Sequence, residues 1–191
     1  MNSNFLKEIF PVPPMLSFRR PKNLREKIVR AKLPLVYSDG VEKGYCSPCH
    51  GRANCMLCSA IPYQNSITSF SSGQSFRLYC GKGANCHSVN VVYCLTCTLC
   101  GVQYVGCTTK LRSRINNHRS CIRLGRVPRD CHRLYEHFAA AGHNEKSFKV
   151  TIMDITSPGS LEDYEEVWID RLRTVYLDGL NVKLRSNINR F

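Results

Sequence analysis

The sequence lacks any run of about 18 apolar residues, so we expect no membrane-spanning helix. Its start, MNSNFLKEIFPVPPML, has neither a long apolar core nor a small-residue cleavage site, so it does not predict a secretory signal. Without an export route, the twelve cysteines should stay reduced. Reduced cysteines that occur in pairs suggest metal binding rather than disulfide bonds.

Acidic residues are also scarce in this chain. Its 191 residues include 14 Asp and Glu against 27 Lys and Arg, which gives a formal net charge of +13. This excess favours a polyanionic partner, either nucleic acid or an anionic membrane surface, and says nothing about the fold. The length leaves room for one domain of ordinary size or two small ones.

Residues 1–44 are interpreted as a basic linker whose proline-rich start is flexible. Within it, Leu24, Ile28 and Ala31 fall on one helical stripe that is surrounded by basic residues. The pattern predicts a short helix that either contacts nucleic acid or is simply solvated.

Residues 45–88 are dominated by Cys, Gly, Ser and polar residues, and we interpret them as a Cys-rich zinc-knuckle segment. Within this segment, residues 66–71 and 75–79 flank a turn at Ser72-Gly73 and predict a hairpin. From residue 89 to 191 the composition becomes that of a globular domain.

Two stretches rich in β-branched and aromatic residues, 89–95 and 102–105, predict a hairpin with a cysteine-rich tip. Alternating apolar residues predict a third strand over 148–152. Three helices complete the order β-β-α-α-β-α. The expected fold class is therefore a small α/β domain, with a short antiparallel or mixed three-stranded sheet flanked by helices.

The three predicted helices each carry start or stop signals. We expect Thr108 or Thr109 to cap the first helix, and Gly142 to end the second, which begins near Cys131. Ser160 with Asp163 predicts a capping box for the third. The expected buried stripes are Leu111, Ile115 and Ile122; Leu134, Phe138 and Ala141; and Leu161, Tyr164, Trp168 and Leu172.

The first predicted helix lies in a strongly basic stretch. Arg114 and His118 are four residues apart and share a helix face, which we assign outside the Leu111/Ile115 stripe. An Arg beside a His is electrostatically unfavourable unless an anion such as phosphate lies between them. The alternative is that both side chains are solvated.

Glu165 follows Leu161 by four positions and so borders the buried stripe beside Trp168. A carboxylate at the edge of an apolar face needs an Arg or a hard cation such as Mg²⁺ as a partner. The alternative is an ordinary surface glutamate. With an Arg, a His and nearby tyrosines, such a carboxylate suits phosphodiester cleavage, which needs an activated water and positive charge on the phosphate.

The predicted hairpin contains two similar tripeptides, Val91-Val92-Tyr93 and, ten residues further on, Tyr104-Val105-Gly106. They resemble the paired tripeptides of the GIY-YIG nuclease family, with Val91 in place of its Gly. The resemblance continues in the family's order through Arg114, His118, Glu165 and Asn181. It covers about half of the chain.

The resemblance implies a role for each residue on the phosphate side. Tyr104, or alternatively Tyr93, would act as general base or position the attacking water. Because the reference pKa of tyrosine is near 10, such a base would need help from a cation or from Arg114. Arg114 would stabilise the phosphate, and His118 would relay protons or bind phosphate.

The resemblance also implies that Glu165 holds one catalytic Mg²⁺ or Mn²⁺. Asn181 would order the site, and Gly106 would let the backbone pack closely behind the hairpin. The implied substrate is DNA, although the charge alone would equally suit RNA.

A pair of cysteines, Cys97 and Cys100, lies between the two tripeptides, and His137 and His143 follow near the end of the second helix. Two thiolates and two imidazoles predict a tetrahedral structural Zn²⁺ site, with reduced cysteines and surface histidines as the alternative. Cys94 lies close enough to compete. A Cys-Cys-His-His site in this position resembles the endonuclease domain of Penelope-like retroelements.

A second zinc site is expected upstream. Its predicted ligands are Cys46, Cys49, Cys55 and Cys58. Five residues between the two pairs make a tight loop, so Cys86, His87, Cys80 or His50 could replace one of the four. Three further cysteines are expected to be ordinary thiols, namely Cys107, Cys121 and Cys131. His132 is either a phosphate contact or a surface histidine.

The sequence therefore predicts a retroelement-type DNA endonuclease that nicks its target and exposes a 3′ end for reverse transcription. Expected partners are DNA and the element's RNA or a reverse transcriptase, and the expected location is the nucleus. One alternative is a catalytically inactive zinc-dependent nucleic-acid-binding protein. Another is a Cys-rich interaction module with an E3-like role, against which stands the wide separation of the Cys97/Cys100 and His137/His143 pairs.

Overall fold

The computed structural model describes residues 44–49 and 55–182, except the side chain of Asp130. All of these described residues belong to one compact unit. The predicted basic helix around Leu24 and the alternative ligand His50 lie outside the described residues. Among the described helices, none is long and apolar enough to cross a membrane.

A three-stranded antiparallel sheet forms the centre of the domain. Strands β5 (Val89–Cys97) and β6 (Gln103–Lys110) form a hairpin, and β7 (Phe148–Ile155) pairs with the other edge of β5. The strand order is β6-β5-β7. β5 is almost continuously buried from Val91 to Leu95 because helices and the upstream segment cover both of its faces. The predicted hairpin and third strand are confirmed.

Three helices pack around this sheet. They are α1 (Leu111–Arg123), α2 (His132–Ala139) and α3 (Leu161–Leu172), which gives the order β-β-α-α-β-α. α3 contacts both β5 and β6 with an apolar face centred on Trp168, whose indole N–H donates to Asp154 at 3.2 Å. The α/β fold class predicted from the sequence is confirmed.

Several details of the helix ends differ from the prediction. β6 continues to Lys110, so Thr108 and Thr109 lie in the strand and neither caps α1. α2 leaves the helical conformation at Ala140, before the expected stop at Gly142. Ser160 is the N-cap residue of α3, but no side-chain capping hydrogen bond forms there.

Three residues expected in the buried helical stripes are not fully buried, and the first of them is Ile122, which is only partly buried. Ala141 lies beyond the end of α2 and is exposed, and Tyr164 is only partly buried. Tyr135, which was not among the predicted core residues, is buried beside Leu134 and Phe138. Because α2 ends two residues earlier than predicted, Ala141 is no longer part of the helix.

The described part of the Cys-rich segment packs against the same sheet. It contains β1 (Tyr45–Cys46), β2 (Ser66–Thr68), β3 (Ser75–Arg77) and β4 (Lys82–Ala84). β2 and β3 form the predicted antiparallel hairpin, and β1 pairs with β4 in parallel. The amide of Tyr79 donates to Met153 at 2.8 Å, which covers the outer edge of β7.

Candidate active site

A pocket of about 1040 Å³ opens where β6, α1 and α3 meet. Arg114 and Arg129 lie on its wall, and so do three acids from the first turns of α3, namely Glu162, Asp163 and Glu165. The wall also carries four residues with hydroxyl, thiol or amide groups that matter below, namely Tyr104, Cys107, Cys131 and Asn181. Positive and negative charges therefore face one cavity, which suits a phosphate bound together with a cation.

Behind this wall, four polar side chains form a hydrogen-bonded network. The Tyr93 hydroxyl lies 2.8 Å from His118 Nε2, and the His118 Nδ1 lies 2.8 Å from the Tyr135 hydroxyl. Arg114 Nε donates to the Tyr93 hydroxyl at 3.3 Å. Arg114 and Tyr135 are the members of this network that line the pocket, whereas Tyr93 and His118 lie behind them and hold them in place.

His118 is completely buried, which contradicts the assignment of this face to the outside of the stripe. Burial, with a smaller contribution from the charge of Arg114, lowers the pKa of His118 to about 3. The imidazole is therefore neutral at physiological pH, with one N–H to donate and one nitrogen to accept. The structure places it between two tyrosine hydroxyls, behind the wall that a phosphate would touch.

Tyr104 reaches the pocket directly, whereas Tyr93 does not line it. The Tyr104 hydroxyl donates to Cys131 Sγ at 3.5 Å, and Arg114 Nη2 donates to the same sulfur at 3.8 Å. Burial raises the pKa of Tyr93 and that of Tyr104 above the ordinary value of a tyrosine. Both hydroxyls therefore keep their protons at neutral pH when no cation is near.

Glu165 is the buried acid of the pocket, with only 7% of its surface exposed. Cys107, which also lines the pocket, donates from Sγ to Glu165 Oε2 at 3.4 Å. A buried carboxylate at the wall of a wide polar cavity fits Mg²⁺, which keeps several of its own waters. The residues present therefore fit a catalytic cation held by Glu165.

Asn181 braces the strand that carries Tyr104. Its side-chain oxygen accepts from the Val105 amide at 2.9 Å, and its side-chain nitrogen donates to the Val105 carbonyl at 2.8 Å. These two bonds satisfy the backbone of β6 on the side away from β5. Asn181 thereby fixes the edge of the pocket that Tyr104 occupies.

Gly106 lies directly opposite Tyr93 in the hairpin register. A Cβ at Gly106 would lie 2.7 Å from the Tyr93 hydroxyl oxygen and 3.0 Å from a ring carbon of Tyr104. The missing side chain therefore lets two tyrosines approach the strand. The groups packed closely against this glycine are thus the two tyrosine side chains.

Gly106→Ala should destabilise the protein and slow any reaction in the pocket. Tyr93 cannot move aside without losing its bonds to Arg114 and His118, so overpacking should cost about 1–3 kcal/mol. Thermal denaturation should show a fall in Tm of roughly 2–12 °C. Gly159→Ala is the matched control, since a Cβ at Gly159 would meet nothing within 4 Å. Equal Tm values for the two variants would contradict this role of Gly106.

The predicted Cys-Cys-His-His cluster is assembled in the structure. The ligand atoms of Cys97, Cys100, His137 and His143 all lie within 4.8 Å of one another. Cys100 Sγ lies 3.5 Å from His137 Nε2. Both ring nitrogens of His143 are buried and have no hydrogen-bond partner among the described residues. Such orphaned nitrogens fit a metal ligand, and Cys94 lies outside the cluster, so its expected competition is not seen.

The upstream cysteines assemble differently from the predicted set. Cys49, Cys55 and Cys58 come together with Cys86, whereas Cys46 is absent from this cluster. The Cys46 thiol instead donates to the Pro62 carbonyl at 3.6 Å, because β1 carries it into the core. The predicted ligand Cys46 is therefore wrong, and its replacement is Cys86, one of the alternatives considered from the sequence.

Neither Cys80 nor His87 belongs to this cluster. His132 places its ring Nδ1 3.1 Å from the Arg129 carbonyl and does not line the pocket. Cys107 and Cys131, expected to be ordinary thiols, do line it. Since no paired spacing marks them, the sequence contains no signal for their position.

Comparison with known proteins agrees with the observed fold. The family model described as the GIY-YIG catalytic domain matches residues 89–181. Among solved structures, the chain is similar to one titled "Structure of the Catalytic Domain of Homing Endonuclease I-TevI", at 20% identity and a TM-score of 0.42. That likeness covers 49% of this chain and 98% of the other. No protein with a curated description matches the sequence significantly. Residues 89–181 therefore match the GIY-YIG catalytic domain, and this match covers just under half of the chain.

Proposed function

We propose that this chain is a DNA endonuclease that hydrolyses one phosphodiester bond at a time with a single divalent cation. The observation that carries the proposal is the shared pocket of Arg114, Tyr104 and Glu165. It offers a phosphate-binding cation, a hydroxyl and a metal-binding carboxylate on the walls of one cavity. These are the groups that phosphodiester hydrolysis requires.

Arg114 is positioned to bind the scissile phosphate. Its guanidinium has five N–H donors, of which one goes to Tyr93 and one to the sulfur of Cys131. The remaining donors are available to phosphate oxygens, and their planar arrangement suits two of these at once. The contact with Tyr93 holds the guanidinium in place before the substrate arrives, so little reorganisation is needed.

Glu165 would hold Mg²⁺ or Mn²⁺ in this mechanism. Such an ion supplies positive charge on the phosphate and lowers the pKa of a bound water. Tyr104, which keeps its proton when no cation is near, would orient the attacking water through its hydroxyl. Tyr104 would act as a base itself only where a cation and Arg114 together lower its pKa. Tyr93 and His118 position Arg114 from behind the pocket wall and do not touch the substrate, whereas Tyr135 lines the pocket.

Zn²⁺ is the ion proposed for Cys97, Cys100, His137 and His143. Two thiolates and two imidazoles are a common ligand set of closed, structural zinc sites. Cys97 and Cys100 flank the tip of the β5–β6 hairpin, whereas His137 and His143 lie at and beyond the end of α2. An ion there would fasten the hairpin that carries Tyr104 to the second helix.

For the biological role, the proposal is that this chain is the endonuclease of a Penelope-like retroelement and acts in the nucleus. Its support is the sequence resemblance in the Cys-Cys-His-His arrangement, together with the high positive charge. In that role the nick would supply a 3′ hydroxyl to a reverse transcriptase that works with the element's RNA. If a reverse transcriptase cannot extend the nicked product, or if a tagged chain is excluded from nuclei, this role is wrong.

A substrate comparison tests the proposed endonuclease. The metal-loaded chain is incubated in Mg²⁺ with supercoiled plasmid and, separately, with single-stranded RNA of the same sequence. We expect nicked plasmid whose new 3′ ends are extended by a DNA polymerase, and intact RNA. Cleavage of the RNA with intact plasmid would overturn DNA as the substrate. Binding to both without cleavage would instead support the alternative, a catalytically inactive nucleic-acid-binding protein.

A further inference from the structure

We propose a second structural metal site, formed by Cys49, Cys55, Cys58 and Cys86 in the segment that precedes the catalytic domain. All four residues lie before residue 89, where the family match begins. They share no ligand with the Cys97/Cys100/His137/His143 cluster. The ion expected there is one that prefers four thiolates in a tetrahedron, with Zn²⁺ as the first candidate.

The distances between the sulfur atoms carry this proposal. Cys49 Sγ lies 3.2 Å from Cys58 Sγ, Cys86 Sγ lies 3.8 Å from Cys58 Sγ and 3.5 Å from Cys55 Sγ, and all four lie within 4.8 Å. A tetrahedron with Zn–S bonds of about 2.3 Å separates its sulfurs by roughly 3.8 Å. The four thiols therefore converge on one point at close to the required spacing.

Two observations favour an ion over a pair of disulfides. The shortest of these distances, 3.2 Å, is far longer than the ~2.05 Å of a disulfide bond. In addition, the Cys49 amide donates to Cys58 Sγ at 3.3 Å. A backbone N–H that points at a sulfur stabilises negative charge on it, and a metal ligand needs a thiolate.

The site joins two chain segments that both support α1. Met56, between Cys55 and Cys58, accepts a 2.8 Å hydrogen bond from Arg119 Nη1 through its carbonyl. Ser88, two residues after Cys86, accepts from the amide of Leu111 at 3.4 Å. An ion would hold both contacts, at the first residue of α1 and two turns along it. It would thereby fix the helix that carries Arg114, a consequence that rests on the proposed function.

Metal content of the purified full chain tests the site without reference to activity. The two clusters predict two zinc ions per chain. The number is measured by elemental mass spectrometry. Cys86→Ser should reduce this number to one. Cys46→Ser is the matched control, because Cys46 is a buried neighbouring cysteine that lies outside the cluster, and it should leave two ions. Two ions in Cys86→Ser, or one ion in a wild-type chain with an intact Cys97 cluster, would overturn the proposal.

If Cys86→Ser does not fold, the rate at which the cysteines of the wild-type chain react with an alkylating agent tests the site instead. Under non-reducing conditions, the four thiols should resist alkylation until a chelator removes the ion and should then all react. Peptides joined through Cys49–Cys58 and Cys55–Cys86 would instead show two disulfides and contradict the site.

Activity tests the link to α1 separately. Nicking by a folded Cys86→Ser variant should fall by up to about 100-fold, because a displacement of ~1 Å near the reacting groups has that effect. A wild-type chain with two ions and no nicking would support the metal site and contradict the nuclease. Unchanged nicking by Cys86→Ser with one ion would refute the link to the helix.

Discussion

Glu165→Gln is expected to reduce Mg²⁺-dependent nicking of plasmid by about 10³-fold or more. Glutamine has nearly the same shape and still accepts the bond from Cys107, so the pocket should keep its form. The substitution removes the one buried carboxylate on the pocket wall and with it the charge that holds a divalent cation. The loss should therefore appear in the cleavage step and not in folding or DNA binding.

Glu166→Gln is the matched control for this experiment. Glu166 is the next residue of α3, is partly exposed and does not line the pocket. Its substitution should change nicking by less than about threefold, since surface substitutions shift free energies by roughly 0.5 kcal/mol. DNA binding, measured by fluorescence anisotropy, should be retained in both variants. Nicking by Glu165→Gln at the rate of Glu166→Gln would exclude Glu165 as the metal ligand.

His143→Ala should cause the largest loss of stability. Both ring nitrogens of His143 are buried without a protein partner among the described residues, and in the proposal one of them binds Zn²⁺. Structural zinc contributes roughly 10–16 kcal/mol in zinc-finger peptides. Even partial loss should lower Tm by at least about 10 °C. Mass spectrometry of the metal should show one ion fewer per chain.

His132→Ala is the control, because His132 lies on α2, the helix that carries the ligand His137, and outside both clusters. It should leave metal content unchanged and shift Tm by about 2 °C or less. If His143→Ala binds as much zinc as His132→Ala and melts at the same temperature, the Cys97 cluster is not a zinc site.

The sheet and the two tripeptides could be predicted from the sequence because their signals are local. Stretches rich in β-branched and aromatic residues mark β5 and β6, and the short turn between them sets the register. That register places Tyr93 opposite Gly106, which explains in physical terms why a tyrosine and a glycine occupy those positions. The register of the β5–β6 hairpin is thus enough to predict the part of the site that this hairpin forms.

The prediction that His118 lies outside the buried stripe is wrong, although its spacing along the helix indicates burial. Leu111, Ile115 and His118 follow at intervals of four and three, which is the spacing of one helix face. A polar residue on that face is tolerated because tyrosine hydroxyls satisfy both ring nitrogens. One of those tyrosines, Tyr135, comes from α2, and a contact between two helices has no signature in either sequence segment alone.

The predicted ligand set of the upstream cluster is wrong at one residue, Cys46, for a related reason. Local spacing pairs Cys46 with Cys49, but β1 places Cys46 in the core beside Pro62. The fourth thiol of the cluster comes from Cys86, which is brought near only when the segment folds back onto the start of β5. Contacts between residues this far apart depend on tertiary packing, which sequence spacing does not determine.

The central claim is that the pocket shared by Arg114 and Glu165 cuts DNA with a divalent cation. The most direct measurement is a time course of supercoiled-plasmid nicking by the metal-loaded wild-type chain, in Mg²⁺ and, in parallel, in Mg²⁺ with excess EDTA. We expect open-circular plasmid to accumulate in Mg²⁺ and not in EDTA. Intact plasmid after incubation in Mg²⁺ with a folded, zinc-containing chain that binds it would contradict the claim.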